Sequence, residues 1–306
     1  MRVRPPAGRA GFTLIEMMIA MIVGLVVLAA ATAVVASTWR GVAGGRMREG
    51  LERNARFINE SLQRDLSETG IDLSSSIRFG SLSTKGDTIV ILGIPYTNGV
   101  AAPPHTFQYG GAPLAPATGS CGTWCVDVDT VGWDLAVNDV AILQSSNERR
   151  LVRVTGVSRS GAIASVTFAS DTIMLQHEAA YARNMTLANN GTVLTKVRFV
   201  SYWVDNGKLM RSERMNGGAA AGELIATGVD SIRVRLVFSN GVEAATANPT
   251  DADGNNDWDD ILAVRVRAWL QSDPTDLRVN NGQPVTRAYG WWFAPRNLRY
   301  EKNRIS

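Results

Sequence analysis

The sequence predicts an α+β chain in which one long N-terminal helix, apolar in its first half and amphipathic in its second, leads into a largely antiparallel β-sheet domain. Three observations carry this. Residues 17–36 form an uncharged apolar run. Leu51, Ala55, Ile58, Leu62 and Leu66 then recur at three- and four-residue steps, the spacing of one helix face. From about residue 87 the hydrophobic period falls to two, with turn signals between the runs.

The apolar run comes first in the chain. About twenty residues at a rise of 1.5 Å each are what a helix needs to cross a hydrocarbon core of roughly 30 Å. Arg2, Arg4 and Arg9 precede it with no acidic residue among them. That bias keeps a short N-terminus in the cytoplasm and sends the rest across, so a single-pass inner-membrane protein with a periplasmic C-terminal domain is expected. A secretory signal peptide also joins a basic start to an apolar stretch, but its apolar region is shorter and ends at a cleavage site, whereas here helix-like sequence continues. Glu16 stands at the head of the run. A carboxylate at mid-bilayer costs on the order of 2.5–3.5 kcal/mol, which calls for a partner. In a first helical turn the dipole and nearby headgroups offer a second account, and position alone leaves both open.

Beyond residue 36 charges appear between the apolar positions: Arg48, Glu49, Glu52, Arg53, Arg56, Glu60, Arg64 and Asp65. The pattern predicts a helix lying with its apolar stripe on a globular domain and its charges largely outward. Gly41, Gly44 and Gly45 each cost about 1 kcal/mol relative to alanine, which predicts a soft point between the halves. Gly70 is suited to cap the C-terminus. Strands are expected at 87–96, 139–144, 151–157, 163–169, 193–204, 208–214, 231–239 and 261–271. Asp205-Asn206-Gly207 is a tight-hairpin signal, since Asn-Gly supplies the positive φ angles of a two-residue turn. The Gly-, Pro- and Ala-rich stretch at 97–120 reads as loop, part of an insertion near 97–135.

The opening residues also carry a resemblance. A basic leader, Gly11, Phe12, then Thr13-Leu14-Ile15-Glu16 and an apolar helix resemble the class III signal of type IV pilins and type II secretion pseudopilins. In that family a prepilin peptidase cuts after the glycine and methylates the new N-terminal amine. The resemblance implies cleavage after Gly11, N-methylation of Phe12, and Glu16 as an assembly contact with a neighbouring subunit's amine. It divides the chain into a leader (1–11), a transmembrane half-helix (12–36), an amphipathic half-helix (37–70) and a β-rich pilin-like domain (71–306). Asn54, Arg56, Phe57, Leu62, Arg64, Asp65, Leu66 and Gly70, with the segments 197–211 and 228–237, more narrowly resemble PilW-type minor pilins. The implied role is structural: a minor pilin that helps prime the type IV pilus or sits near its tip, in adhesion or twitching motility. Its implied partners are other minor and major pilins, the prepilin peptidase and the inner-membrane assembly platform. A type II secretion pseudopilin and an adhesin-like tip module are the alternatives.

Composition narrows the field further. The 306 residues are 45% hydrophobic and 19% charged, ordinary for a folded chain with one span. The net charge of +3 is carried wholly by the three leader arginines, so the mature chain nets zero and no nucleic-acid footprint is expected at that level. Cys121 and Cys125 are the only cysteines; across the membrane they would face an oxidising compartment, and a structural disulfide is expected. Asp251, Asp253, Asn255 and Asp257 head an acidic loop whose alternate side chains can converge on calcium, although the EF-hand spacing and closing glutamate are missing; a solvated loop is the rival account. No metalloprotease, hydrolase or P-loop motif occurs, and only His105 and His177 are available for acid–base work, so neither an enzyme nor a cofactor is expected.

Overall fold

The computed structural model describes residues 13–71, 73, 80–85, 87–97, 100–101, 104–106, 113–114, 118–119, 122–123, 125–145, 148–169, 185–186, 192–213, 222–248, 256–258, 260–272 and 279–298. Helix α1 runs Leu14–Ser67 through Gly41, Gly44 and Gly45 without a break. The chain divides into two compact units, Met1–Gly50 with Ser272–Val285, and Leu51–Gln271 with Thr286–Ser306.

Within the first unit the apolar stretch of the helix is open to its surroundings. The most apolar window has a mean hydropathy of 2.7 and none of it is buried. Ser272 and Val285 close the base of their segment, Ser272 N–H donating to Val285 O at 3.0 Å and Val285 N–H to Ser272 Oγ at 2.9 Å.

The second unit is built of antiparallel strands. In chain order the principal ones are β1 Leu82–Lys85, β2 Thr88–Gly93, β3 His105–Thr106, β4 Cys125–Asp129, β5 Val140–Ser145, β6 Glu148–Ser160, β7 Ile163–Ala169, β8 Thr192–Asp205, β9 Lys208–Ser212, β10 Glu223–Thr227, β11 Val229–Phe238, β12 Glu243–Ala244, β13 Ile261–Gln271 and β14 Thr286–Phe293. Ten of them form one sheet along the path β1-β2-β8-β5-β6-β7-β4, with β3 and β9 also on β8 and β10 on β9; β12-β11-β13-β14 form a second. Strand β8 is the hinge of the large sheet. Its Thr192–Val197 half pairs with β5 and its Arg198–Tyr202 half with β2, so Arg198 sits where the pairing changes partner.

The expected hairpin closes β8 on β9 through Asn206 (φ 48°) and Gly207 (φ 74°), with Asp205 opposite Lys208. Leu51, Ala55, Ile58, Leu62 and Leu66 are all buried, as the spacing predicts. The helix ends at Ser67, and Gly70 takes the left-handed conformation (φ 72°) while donating its N–H to Leu92 O on β2 at 2.9 Å.

Three differences have physical causes. The span near 97–135, read as a loop insertion, contains β4, which pairs with β7 from Cys125 to Asp129. There Val126 and Val128 alternate with Asp127 and Asp129, a period of two hidden by the Gly- and Pro-rich sequence before it. Strands β1, β10 and β14 are not among those the sequence predicts; β1 is short and polar, and β14 interrupts its alternation with Gly290 and the consecutive aromatic residues Trp291, Trp292 and Phe293. Asp65, placed with the outward charges, is fully buried.

Candidate functional site

The first turn of α1 holds Glu16. Its Oε2 accepts hydrogen bonds from Thr13 N–H and from Thr13 Oγ1, both at 2.9 Å, and Glu16 N–H donates back to Thr13 Oγ1 at 3.3 Å. This is a capping box: a threonine N-cap and a glutamate three residues later satisfy amides that a helix start leaves free. Glu16 thus has a structural occupation within its own chain. Oε1 takes none of these bonds, and the large apolar side chains on either side of Glu16 are open, from Leu14 (80% exposed) through Leu28 (61%). Gly11 and Phe12 lie outside the described residues.

Where α1 meets the large sheet, the structure assembles a polar centre that the sequence pattern did not reveal. Asp65 accepts from Arg211 Nε at 2.6 Å and Nη2 at 3.2 Å, from Arg198 Nη2 at 2.8 Å, and from the Tyr202 hydroxyl at 2.5 Å. Ser61 Oγ, one turn earlier on the helix, lies 2.7 Å from the same hydroxyl. The arrangement follows from the register. Arg198 and Tyr202 are four residues apart on β8 and so share a face, and Arg211 is the direct cross-strand partner of Tyr202 on β9. Around this core Arg211 also reaches Glu213 at 2.5 Å, and Arg198 pairs with Glu68.

Electrostatics hold Asp65, Glu213 and Arg211 ionised and Tyr202 neutral. Burial pushes the Asp65 carboxyl up, but the hydrogen bonds from Arg211 and Tyr202 and the charges of Arg211 and Arg198 outweigh it, leaving it below the ordinary carboxylate range. Burial and the bond to Asp65 push the Tyr202 phenol up. For Arg211 burial acts downward, and its bonds to Asp65 and Glu213 prevail and raise it. The Arg211 bond is also the main cause of the lowered Glu213 carboxyl. Nothing here is poised to exchange protons near neutrality; the cluster fixes the helix to the sheet. A signal was present, in that Asp65 falls three residues after Leu62 and ten after Ala55, on the stripe itself.

The remaining site residues are dispersed. Cys125 is fully buried at the start of β4 and is disulfide-bonded; Cys121 lies outside the described residues. Of the acidic loop, Asp251, Asp253 and Asn255 are outside them too, while Asp257 is buried and bridges to Asn248. Among the described residues no group of three or more His, Cys, Asp or Glu side chains could hold a metal. His105 is buried on β3, its Nε2 3.0 Å from Asp134 Oδ1 and its ring 4.9 Å from that of Trp133.

With this geometry in place, known proteins offer one specific likeness. The chain carries the prokaryotic N-terminal methylation motif over residues 6–32. That motif stands at the head of a long helix, apolar in its first half, which leads into an antiparallel β-domain. A type IV-like pilin from Thermus thermophilus is similar in structure at 13% identity, covering 53% of this chain and 86% of its own, with a TM-score of 0.24, a likeness too slight to bear on function. No curated protein matches the chain in sequence.

Proposed function

We propose that this chain is a minor pilin of the PilW kind, anchored in the inner membrane with its β-domain in the periplasm, and incorporated into a type IV pilus where it helps prime assembly. The observation that carries the reading is the methylation motif at 6–32 running into a helix whose most apolar stretch, in its first half, is entirely uncovered. An uncovered apolar helix of this length needs either lipid or other helices around it, and transfer from one to the other is the physical step of pilin assembly. Cleavage after Gly11 would leave the Phe12 amine as a cation, ordinarily with a pKa near 7.7–8. Glu16 Oε1, unused by the capping box, would receive that amine from a neighbouring subunit, so that register between helices is set by charge cancellation in an apolar setting. The β-domain contributes rigidity: the Asp65 centre ties the helix to β8 and β9.

The test separates the cap from the charge. Glu16→Gln keeps an oxygen that can accept from Thr13 but carries no charge. The variant should insert, be cut after Gly11 and fold, yet no longer co-purify with partner pilins from detergent-solubilised membranes. Undiminished recovery of partners with Glu16→Gln would reduce Glu16 to a helix cap and remove the mechanism. Mass spectrometry of sheared filaments tests the assignment to a pilus. Finding the chain among secretion-system pseudopilins and never in pili would favour the secretion reading.

A further inference from the structure

We propose that the outer face of the β12-β11-β13-β14 sheet binds single-stranded nucleic acid. On this face Arg233 stands directly opposite Arg267, and Arg235 directly opposite Arg265. Like charges facing each other across two strands repel, and both pairs are of one sign. Among the described residues Arg265 alone of the four has an acidic neighbour, Glu243 at 3.3 Å, and its side chain is still 55% exposed. Arg233 and Arg267 flank Trp269 instead, with guanidinium carbons 5.6 and 5.1 Å from its ring centre. Stacking on an indole leaves a guanidinium's hydrogen-bonding edge free for an oxyanion.

The same face supplies a stacking surface and room beside it. Trp292, opposite Arg265 on β14, is 54% exposed. Between the rows of Trp269 and Trp292 lies Gly290, opposite Arg267; a Cβ there would meet nothing nearer than Val266 O at 3.9 Å, so the floor beside the arginine is bare. Successive outward residues on a strand are about 6.7 Å apart, which spaces the two arginine rows along the sheet. A row of cations with an exposed aromatic ring is what a flexible strand of phosphates and bases requires: phosphates on guanidinium groups, a base on Trp292. A net charge of zero over the mature chain does not oppose this, because it averages a one-signed face with acidic residues elsewhere.

The test uses the full chain in neutral detergent micelles and fluorescently labelled oligothymidylate, read by anisotropy between about 50 and 200 mM salt. Four phosphate contacts give a log K against log salt slope of about −2.8, and R233Q/R267Q should halve it to about −1.4. R235Q/R265Q is an independent pair with the same expected effect. W292A should weaken oligothymidylate about 5- to 150-fold yet leave an abasic strand of the same length unaffected. No binding at 50 mM salt, or binding indifferent to both arginine pairs, overturns the proposal. So does an abasic strand or dextran sulfate that binds as tightly as oligothymidylate and ignores W292A, which would mark the face as a site for an anionic polysaccharide.

Discussion

Replacing Asp65 by asparagine asks whether the helix is held to the sheet by charge. Asp65 is 0% exposed and Arg211 6%, so removing the carboxylate strands a buried guanidinium. Breaking a buried pair in this way costs about 3–5 kcal/mol. Two features place this case at the lower end: Arg211 keeps Glu213 at 2.5 Å, and the asparagine oxygen still accepts one bond. A loss of about 3 kcal/mol corresponds, at about 2–4 °C per kcal/mol for a unit of this size, to a melting temperature lower by about 6–12 °C. Intrinsic fluorescence of the eight tryptophans during heating of the detergent-solubilised chain reads this directly. Replacing both partners by apolar residues, D65L/R211M, should lose less than the sum of D65L and R211M, since neither charge is then left alone.

The effect should also depend on pH with a defined sign. The Asp65 carboxyl is lowered in the folded state, so its contribution is complete above the unfolded value near 3.9 and fades as pH falls through the folded value. The gap in melting temperature between wild type and Asp65→Asn should therefore stay constant from pH 7 to about 5 and narrow below about 3.9. An Asp65→Asn chain melting within about 1 °C of wild type at pH 7 would refute the reasoning, because the carboxylate would then be carrying no net load.

Other outcomes follow from the same structure. A bulky residue in place of Gly11 should leave an uncut precursor, and intact-mass analysis of membrane extracts would show it; a wild-type chain still beginning at Met1 would contradict the cleavage assignment. Native protein should resist thiol labelling at both Cys121 and Cys125 until a reductant is added. Adding calcium should leave the melting temperature unchanged if the acidic loop beginning at Asp251 is simply solvated, whereas a rise saturating with calcium would identify it as a binding loop.

How much of this was legible in the sequence depended on which physical signal each residue carried. The helix stripe was readable because Leu51, Ala55, Ile58, Leu62 and Leu66 are apolar and their burial is enforced by spacing alone. The β8–β9 turn was readable because Asn206 and Gly207 tolerate positive φ, a local property. Asp65 was not, since a charge on an apolar stripe looks like an outward residue unless its partners are known. Those partners lie more than 130 positions away, and only strand pairing brings them together. The Arg233–Arg267 and Arg235–Arg265 pairs were hidden for the same reason: each strand alone shows ordinary alternation of arginine with apolar residues, and the one-signed face exists only in the register between them.

Glu16 and Asp65 are opposite solutions to placing a carboxylate on the same helix. Asp65 is desolvated by its own fold, and so must find all its cations within the chain; the three donating side chains on β8 and β9 do this at the expense of an arrangement that tolerates little change. Glu16 lies in the uncovered first half of the helix and, among the described residues, bonds through one oxygen only, to Thr13, which leaves its other oxygen open. A carboxylate engaged in this partial way stabilises the helix start before assembly without having to be unmade during it. If the neighbour's amine approaches Oε1, the capping bonds on Oε2 can persist, so docking adds an interaction and breaks none. The capping role and the assembly role are therefore compatible on one side chain, and a residue that keeps the first while losing the second is the one substitution able to tell them apart.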